Sequence, residues 1–87
     1  MAGNPRQVEA LEINQVEDGF IIYQPEKDRV HFLNHTAVLV LELCDRNHSP
    51  EEIVQVVAGA YSLAEAPQSH VMEILGQFES EGLVAFE

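Results

Sequence analysis

The side chains with the means to do chemistry in this 87-residue sequence are four histidines, one cysteine and fifteen carboxylates. A histidine metal site needs imidazoles that converge, most simply four apart on one helical face. His31 and His35 have that spacing, but they straddle an expected strand and the start of a helix. His48 falls in a turn and His70 at the start of the last helix. No HExxH, cysteine pair or Asp-rich loop accompanies them, so they read as structural or surface histidines and no metal is expected. Cys44 lies late in an apolar helix, and only Arg46 is a cation close by in sequence. Burial there raises a thiol pKa, which makes an inert core cysteine the expectation. Glu51 and Glu52 suit a helix cap and its dipole. Glu73, Glu79 and Glu81 fall mostly off the apolar stripe of the last helix. Gly59, Gly76 and Gly82 are isolated and form no phosphate-cradling loop. Nothing pairs a nucleophile with a base, so neither enzyme activity nor a cofactor is expected.

Charge narrows the partners. The formal net charge is −11, and Arg6, Lys27, Arg29 and Arg46 are the only basic residues besides histidine. Binding to duplex DNA depends on Lys and Arg displacing counterions. From Asn47 to Glu87 there are seven acidic residues and neither Lys nor Arg, so a nucleic-acid role for that half is not expected. The longest apolar run, Ala37 to Leu41, is far short of the roughly 20 residues that span a bilayer. No basic region followed by an apolar stretch opens the chain, and the lone cysteine cannot form an internal disulfide. Together these fit a cytoplasmic protein that does not enter membranes.

The elements that must position these residues fall into two halves. Residues 1–9, with Gly3 and Pro5, read as a flexible arm, and residues 10–87 as a single domain. Leu11-Glu12-Ile13-Asn14 alternates as a half-buried strand does. Asp18-Gly19 is a hairpin signal, because both central positions of the favoured turn take positive φ. Phe20-Ile21-Ile22-Tyr23 suits a central strand, Pro25 to Asp28 a second turn, and Arg29 to Leu33 a third strand. The third strand then lies at an edge of an antiparallel meander. Asn34 can cap a helix through Ala37–Cys44 that is apolar nearly all round, with Asn47 able to go left-handed beyond it. Ser49-Pro50-Glu51-Glu52 is a capping box, and the helix behind it is expected to bury Ile53, Val54, Val57, Ala58 and Tyr61. Val71, Ile74, Leu75 and Phe78 form the stripe of a third helix that Gly82 ends, and Leu83 to Phe86 should pack down as a short apolar tail. The fold class is α+β: three antiparallel strands, then three helices. Its edge strand is either protected by Lys27, Asp28 and Arg29 or left open to accept a peptide.

Leu33-Asn34-His35-Thr36-Ala37 followed by Leu41-Glu42-Leu43-Cys44-Asp45 resembles the PqqD family of peptide chaperones. Ser49-Pro50-Glu51-Glu52-Ile53-Val54 and Tyr61 match that family's next segment. Phe78 through Leu83 looks like its ending, and Glu17-Asp18-Gly19-Phe20 with Tyr23 like its hairpin. The family's glycine after Cys-Asp is Arg46 here, and where the family often carries tryptophan or another bulky residue in its first helix, this chain has no tryptophan at all. The resemblance implies a winged-helix-like domain that serves as a recognition element in ribosomally made, post-translationally modified peptide pathways, such as pyrroloquinoline quinone biosynthesis. Such a domain binds the leader of a precursor peptide as a strand added to its third strand, in a groove against the third helix. It then presents the peptide to a modifying enzyme, often of the radical SAM type. The residues implied as peptide-binding are Val30, His31 and Phe32 on the strand, and Val71, Met72, Leu75 and Phe78 on the helix. Val71 and Phe78 are the strongest candidates there for a purely structural role. A monomer or weak homodimer is expected. The alternatives are a homodimerising interaction domain and a winged-helix transcription regulator, the latter disfavoured by charge.

Overall fold

The computed structural model describes residues 3–86, so the outermost residues of the expected arm and domain, 1, 2 and 87, lie outside the described residues. Its elements run β1 (Pro5–Gln7), β2 (Glu12–Val16), β3 (Gly19–Gln24), β4 (Arg29–Leu33), α1 (His35–Glu42), α2 (Pro50–Ala60), α3 (Gln68–Ser80) and β5 (Val84–Phe86). β2, β3 and β4 form an antiparallel sheet in that order, so the β-branched, aromatic β3 is central and β4 is an edge. The expected meander and its three following helices are both present.

The N-terminal segment departs from a loose arm. Pro5–Gln7 pairs with β5, Pro5 opposite Phe86, and Pro5 is buried. The other side of β1 is occupied too: Gln7 N–H donates to Cys44 O at 2.9 Å and Arg46 N–H to Pro5 O at 2.9 Å. The Gln7 side-chain amide donates to Leu41 O at 2.9 Å, satisfying a carbonyl at the end of α1. Proline tolerates a strand where no ladder bond needs its nitrogen, which the start of a three-residue strand allows. The apolar tail is the partner strand β5, with Leu83 and Val84 buried.

Two turns use different residues from those expected. The first hairpin closes with Val16 opposite Gly19, so Glu17 and Asp18 are the loop. Neither has positive φ, and Gly19 belongs to the strand. Glycine is needed there by close approach: a Cβ on Gly19 would lie 2.6 Å from Leu33 O and 2.9 Å from Phe32 Cζ. After α1 the left-handed residue is Arg46, at φ 75°, rather than Asn47. That is the position at which the family pattern has glycine, so the backbone keeps a conformation that favours glycine with an arginine in it.

Helix ends follow local chemistry. Asn34 Oδ1 accepts from Ala37 N–H at 2.8 Å. Ser49 Oγ accepts from Glu52 N–H at 3.1 Å while the Glu52 carboxylate accepts from Ser49 N–H at 2.7 Å, completing the capping box. α3 ends with Gly82 at φ 75° and Leu83 N–H donating to Phe78 O at 2.8 Å, the wrap that returns the chain into β5. The core draws Ile22 from the sheet, Val38, Val40, Leu41 and Cys44 from α1 and its end, Ile53, Val54 and Val57 from α2, and Val71, Ile74, Leu75 and Phe78 from α3. Ala58 is only half-buried, and Tyr61, expected in the core, is exposed as the residue that ends α2. No helix among the described residues is long and apolar enough to cross a membrane.

Candidate peptide-docking site

The pairing of β3 fixes which way β4 points. A two-residue hairpin loop closes on a hydrogen-bonded pair, here Val16 and Gly19. Bonded and non-bonded pairs alternate, so Gly19, Ile21 and Tyr23 bond β2, while Phe20, Ile22 and Gln24 bond β4. Their partners on β4 are Leu33, His31 and Arg29. Val30 and Phe32 therefore turn their N–H and C=O groups to the free edge. Side chains alternate with the same period, and Val30 and Phe32 are exposed, 64% and 59%, on the face away from the helices.

His31 points the other way. Gln24, 3% exposed, donates its side-chain amide to Gly82 O at 3.1 Å, which leaves its carbonyl oxygen as the acceptor for His31 Nε2 at 3.1 Å. His31 is thereby the Nε2–H tautomer when neutral, and its Nδ1 faces Glu81 Oε2 at 3.7 Å. This network ties β4 to the corner between α3 and β5. It was not legible in the sequence, because Gln24 and Gly82 are 58 residues apart.

The helix residues named from the family pattern divide. Val71, Leu75 and Phe78 are 2% exposed or less and hold α3 in the core, so they offer no surface to a docking peptide. Met72 is half-buried and lines a cleft of about 80 Å³ with Glu51, Val54, Gln55, Ala66 and Gln68, between α2 and α3 and apart from β4. The end of α3 meets β4 at Glu81, whose Oε2 lies 3.7 Å from His31 Nδ1. Helical spacing puts Gln77, Glu73 and His70, all exposed, on the turns before it, with Ile74 beside them buried in the core. Sequence reasoning placed Glu73 and Glu81 off the apolar stripe and gave no peptide-binding role to them, to His70 or to Gln77, because they are polar. The signal that could have found them is the spacing back from the helix end. The strip is acidic to neutral, with no Lys or Arg.

Other reactive groups are occupied elsewhere. Cys44 is buried, donates to Val40 O at 3.2 Å, and has its thiol pKa pushed up to about 12, first by burial and then by Asp45. The Asp45 carboxyl is held below its ordinary value by His48, whose Nδ1 lies 2.9 Å away, and by Asn47 N–H. Among the described residues no group of three or more His, Cys, Asp or Glu is placed to hold a metal ion.

Residues 19–84 match the family model described as coenzyme PQQ synthesis protein D (PqqD). The chain belongs to the PqqD family. Of the solved structures, that of lasso peptide synthetase B1 complexed with the leader peptide is similar in fold, with a TM-score of 0.72 and 17% identity. That similarity covers 94% of this chain and 98% of the other. No curated protein matches the sequence. The PqqD match begins at β3 and ends at the first residue of β5, so it contains β4 and all three helices and leaves out β1 and β2. Among the described residues, the outer edge of β4 is unpaired.

Proposed function

We propose that this chain is a non-catalytic adapter that binds the leader of a precursor peptide. The leader adds as a strand to β4, and the adapter presents the rest of the peptide to a modifying enzyme, of the radical SAM type. The observation that carries the reading is the edge itself: among the described residues β4 is unpaired on one side, with Val30 and Phe32 exposed and their backbone groups turned outward. Family membership supports it, and so does the fold shared with a lasso peptide synthetase B1 that was solved with the leader peptide.

The physics suits an adapter. Main-chain bonds along an edge tolerate sequence variation, and side-chain contacts supply choice. A leader that is disordered when free loses entropy on docking, so moderate affinity is enough. The adapter speeds modification by raising the effective concentration of peptide at the enzyme. With Glu73, Gln77, His70 and Glu81 along α3, the groove favours a leader with Lys or Arg beside its apolar anchors.

The test uses synthetic peptides covering the N-terminal segments of short open reading frames that neighbour the gene. They are titrated into isotopically labelled protein and followed by amide shifts. Shifts concentrated on β4 and the Glu81–His70 strip, with affinity falling as salt rises, are expected. Binding by no peptide up to on the order of 100 µM, or shifts confined to other elements, overturns the proposal.

A further inference from the structure

We infer that β4 reads the leader on two faces: besides the edge and the groove, its outer face selects a peptide strand with aromatic or β-branched residues at positions i and i+2. The inference rests on the strand-addition reading and specifies the peptide it would accept.

Two properties of β4 share one parity. The residues with outward backbone groups, Val30 and Phe32, also carry the exposed apolar side chains. In either strand direction the peptide residues directly opposite Val30 and Phe32 lie two apart and share their face of the sheet; in the antiparallel direction they are also the bonded residues, about 5.5 Å away between Cα atoms. Their side chains then stand on the same outer face as Val30 and Phe32, away from α3. The intervening peptide residues face the groove. The two sets of positions are therefore read by different surfaces of this chain, and the outer pair is two residues apart in either strand direction.

The outer surface is built rather than merely exposed. Phe32 faces Ile21 and Val30 faces Tyr23 across the β3–β4 ladder. The Phe32 ring lies across Gly19, close enough that a Cβ there would stand 2.9 Å from its Cζ. Tyr23 is fixed by its hydroxyl, which donates to Asp28 Oδ1 at 3.1 Å. Side chains ordered before docking lose little freedom in it, so their contacts appear in the affinity. Lys27 precedes the strand and Arg29 opens it, and the outer face at Val30 and Phe32 carries no charged side chain of its own. An apolar pair in the middle of an open edge is a liability unless a partner covers it. The partner whose geometry is dictated by the same two residues is the added strand.

The experiment titrates the peptide that binds the wild-type chain against V30T and V30T/F32T. Threonine is a strand-favouring residue that leaves the backbone bonds in place while removing most of the apolar contact, and circular dichroism checks the fold. Two cross-strand pairs correspond to a roughly 2- to 30-fold loss of affinity in the double variant. A serine scan of the peptide should show two sensitive positions, two residues apart, whose effect vanishes against V30T/F32T. V30T leaves the Phe32 ring over Gly19 in place, so it carries the test if the double variant is unfolded. Unchanged affinity of folded V30T and V30T/F32T, with Val30 and Phe32 amides still shifting on binding, overturns this inference and leaves strand addition standing. Loss of those amide shifts in the wild type overturns both.

Discussion

Proline placed along β4 should divide by parity, because only alternate N–H groups belong to the ladder. His31 bonds Ile22 in the centre of the sheet, and Ile22 is fully buried. H31P removes that N–H and leaves a carbonyl of a buried residue unpaired, at a cost of about 1–3 kcal/mol. It also removes the imidazole that bonds Gln24, worth about 1 kcal/mol more, and forces a ring against the central strand. The sum, about 2–4 kcal/mol before steric strain, compares with a total stability of about 4–13 kcal/mol for a domain of this size. At about 4–8 °C per kcal/mol, the melting temperature should fall by roughly 10–30 °C, or the fold should be lost. V30P removes only an N–H that faces solvent, and its melting temperature should stay within about 8 °C of wild type. H31A separates the side-chain part, at about 1 kcal/mol. Thermal melts by circular dichroism measure all three. Leader affinity of folded V30P should drop by at least the one lost intermolecular bond, about 0.5–1.5 kcal/mol, a roughly 2- to 13-fold change. If V30P melts as low as H31P, the assignment of ladder and free edge is wrong. If V30P binds leader as well as wild type, strand addition is wrong.

Cys44, with its thiol at about 12 against an ordinary 9.0, should resist alkylation in the native state and react on unfolding. Because the folded state holds a proton that the unfolded chain gives up above pH 9, stability should fall as pH rises from about 9 towards 12, by at most about 1.4 kcal/mol per pH unit, and C44A should flatten that slope in urea titrations at pH 8 and pH 10.5. S49A should cost about 1 kcal/mol by removing one arm of the capping box, read as a shift in the urea midpoint with unchanged slope. G19A should cost more, about 1–3 kcal/mol, since its methyl group meets a backbone oxygen at 2.6 Å, and it should shift the Phe32 ring resonances. A gel shift at micromolar protein and low salt should show no binding to duplex DNA, because residues 47–87 carry neither Lys nor Arg.

Local chemistry determined a good deal of this protein without the fold. The cap at Asn34, the box from Ser49 to Glu52, the left-handed Gly82 and the central placing of Phe20–Tyr23 all depend on neighbours within a few residues, and each is where its residues indicate. The stripe Val71, Ile74, Leu75 and Phe78 was legible as buried, since an amphipathic helix hides its apolar face wherever it docks. What the pattern could not say is which neighbour that face meets. It meets the core, so three of the four helix residues linked to peptide binding are unavailable, and Met72 turns towards α2. Pro5–Gln7 looks like a polar arm because its partners, Phe86 and the Cys44–Arg46 segment, lie about 80 and 40 residues away. The Gln24–His31 bond to the α3–β5 corner joins residues up to 58 apart in sequence. Periodicity reports which side chains are apolar and how they are spaced. Only the closed chain decides that Val30 and Phe32 face out, that His31 faces in, and that the β4 edge is unpaired among the described residues.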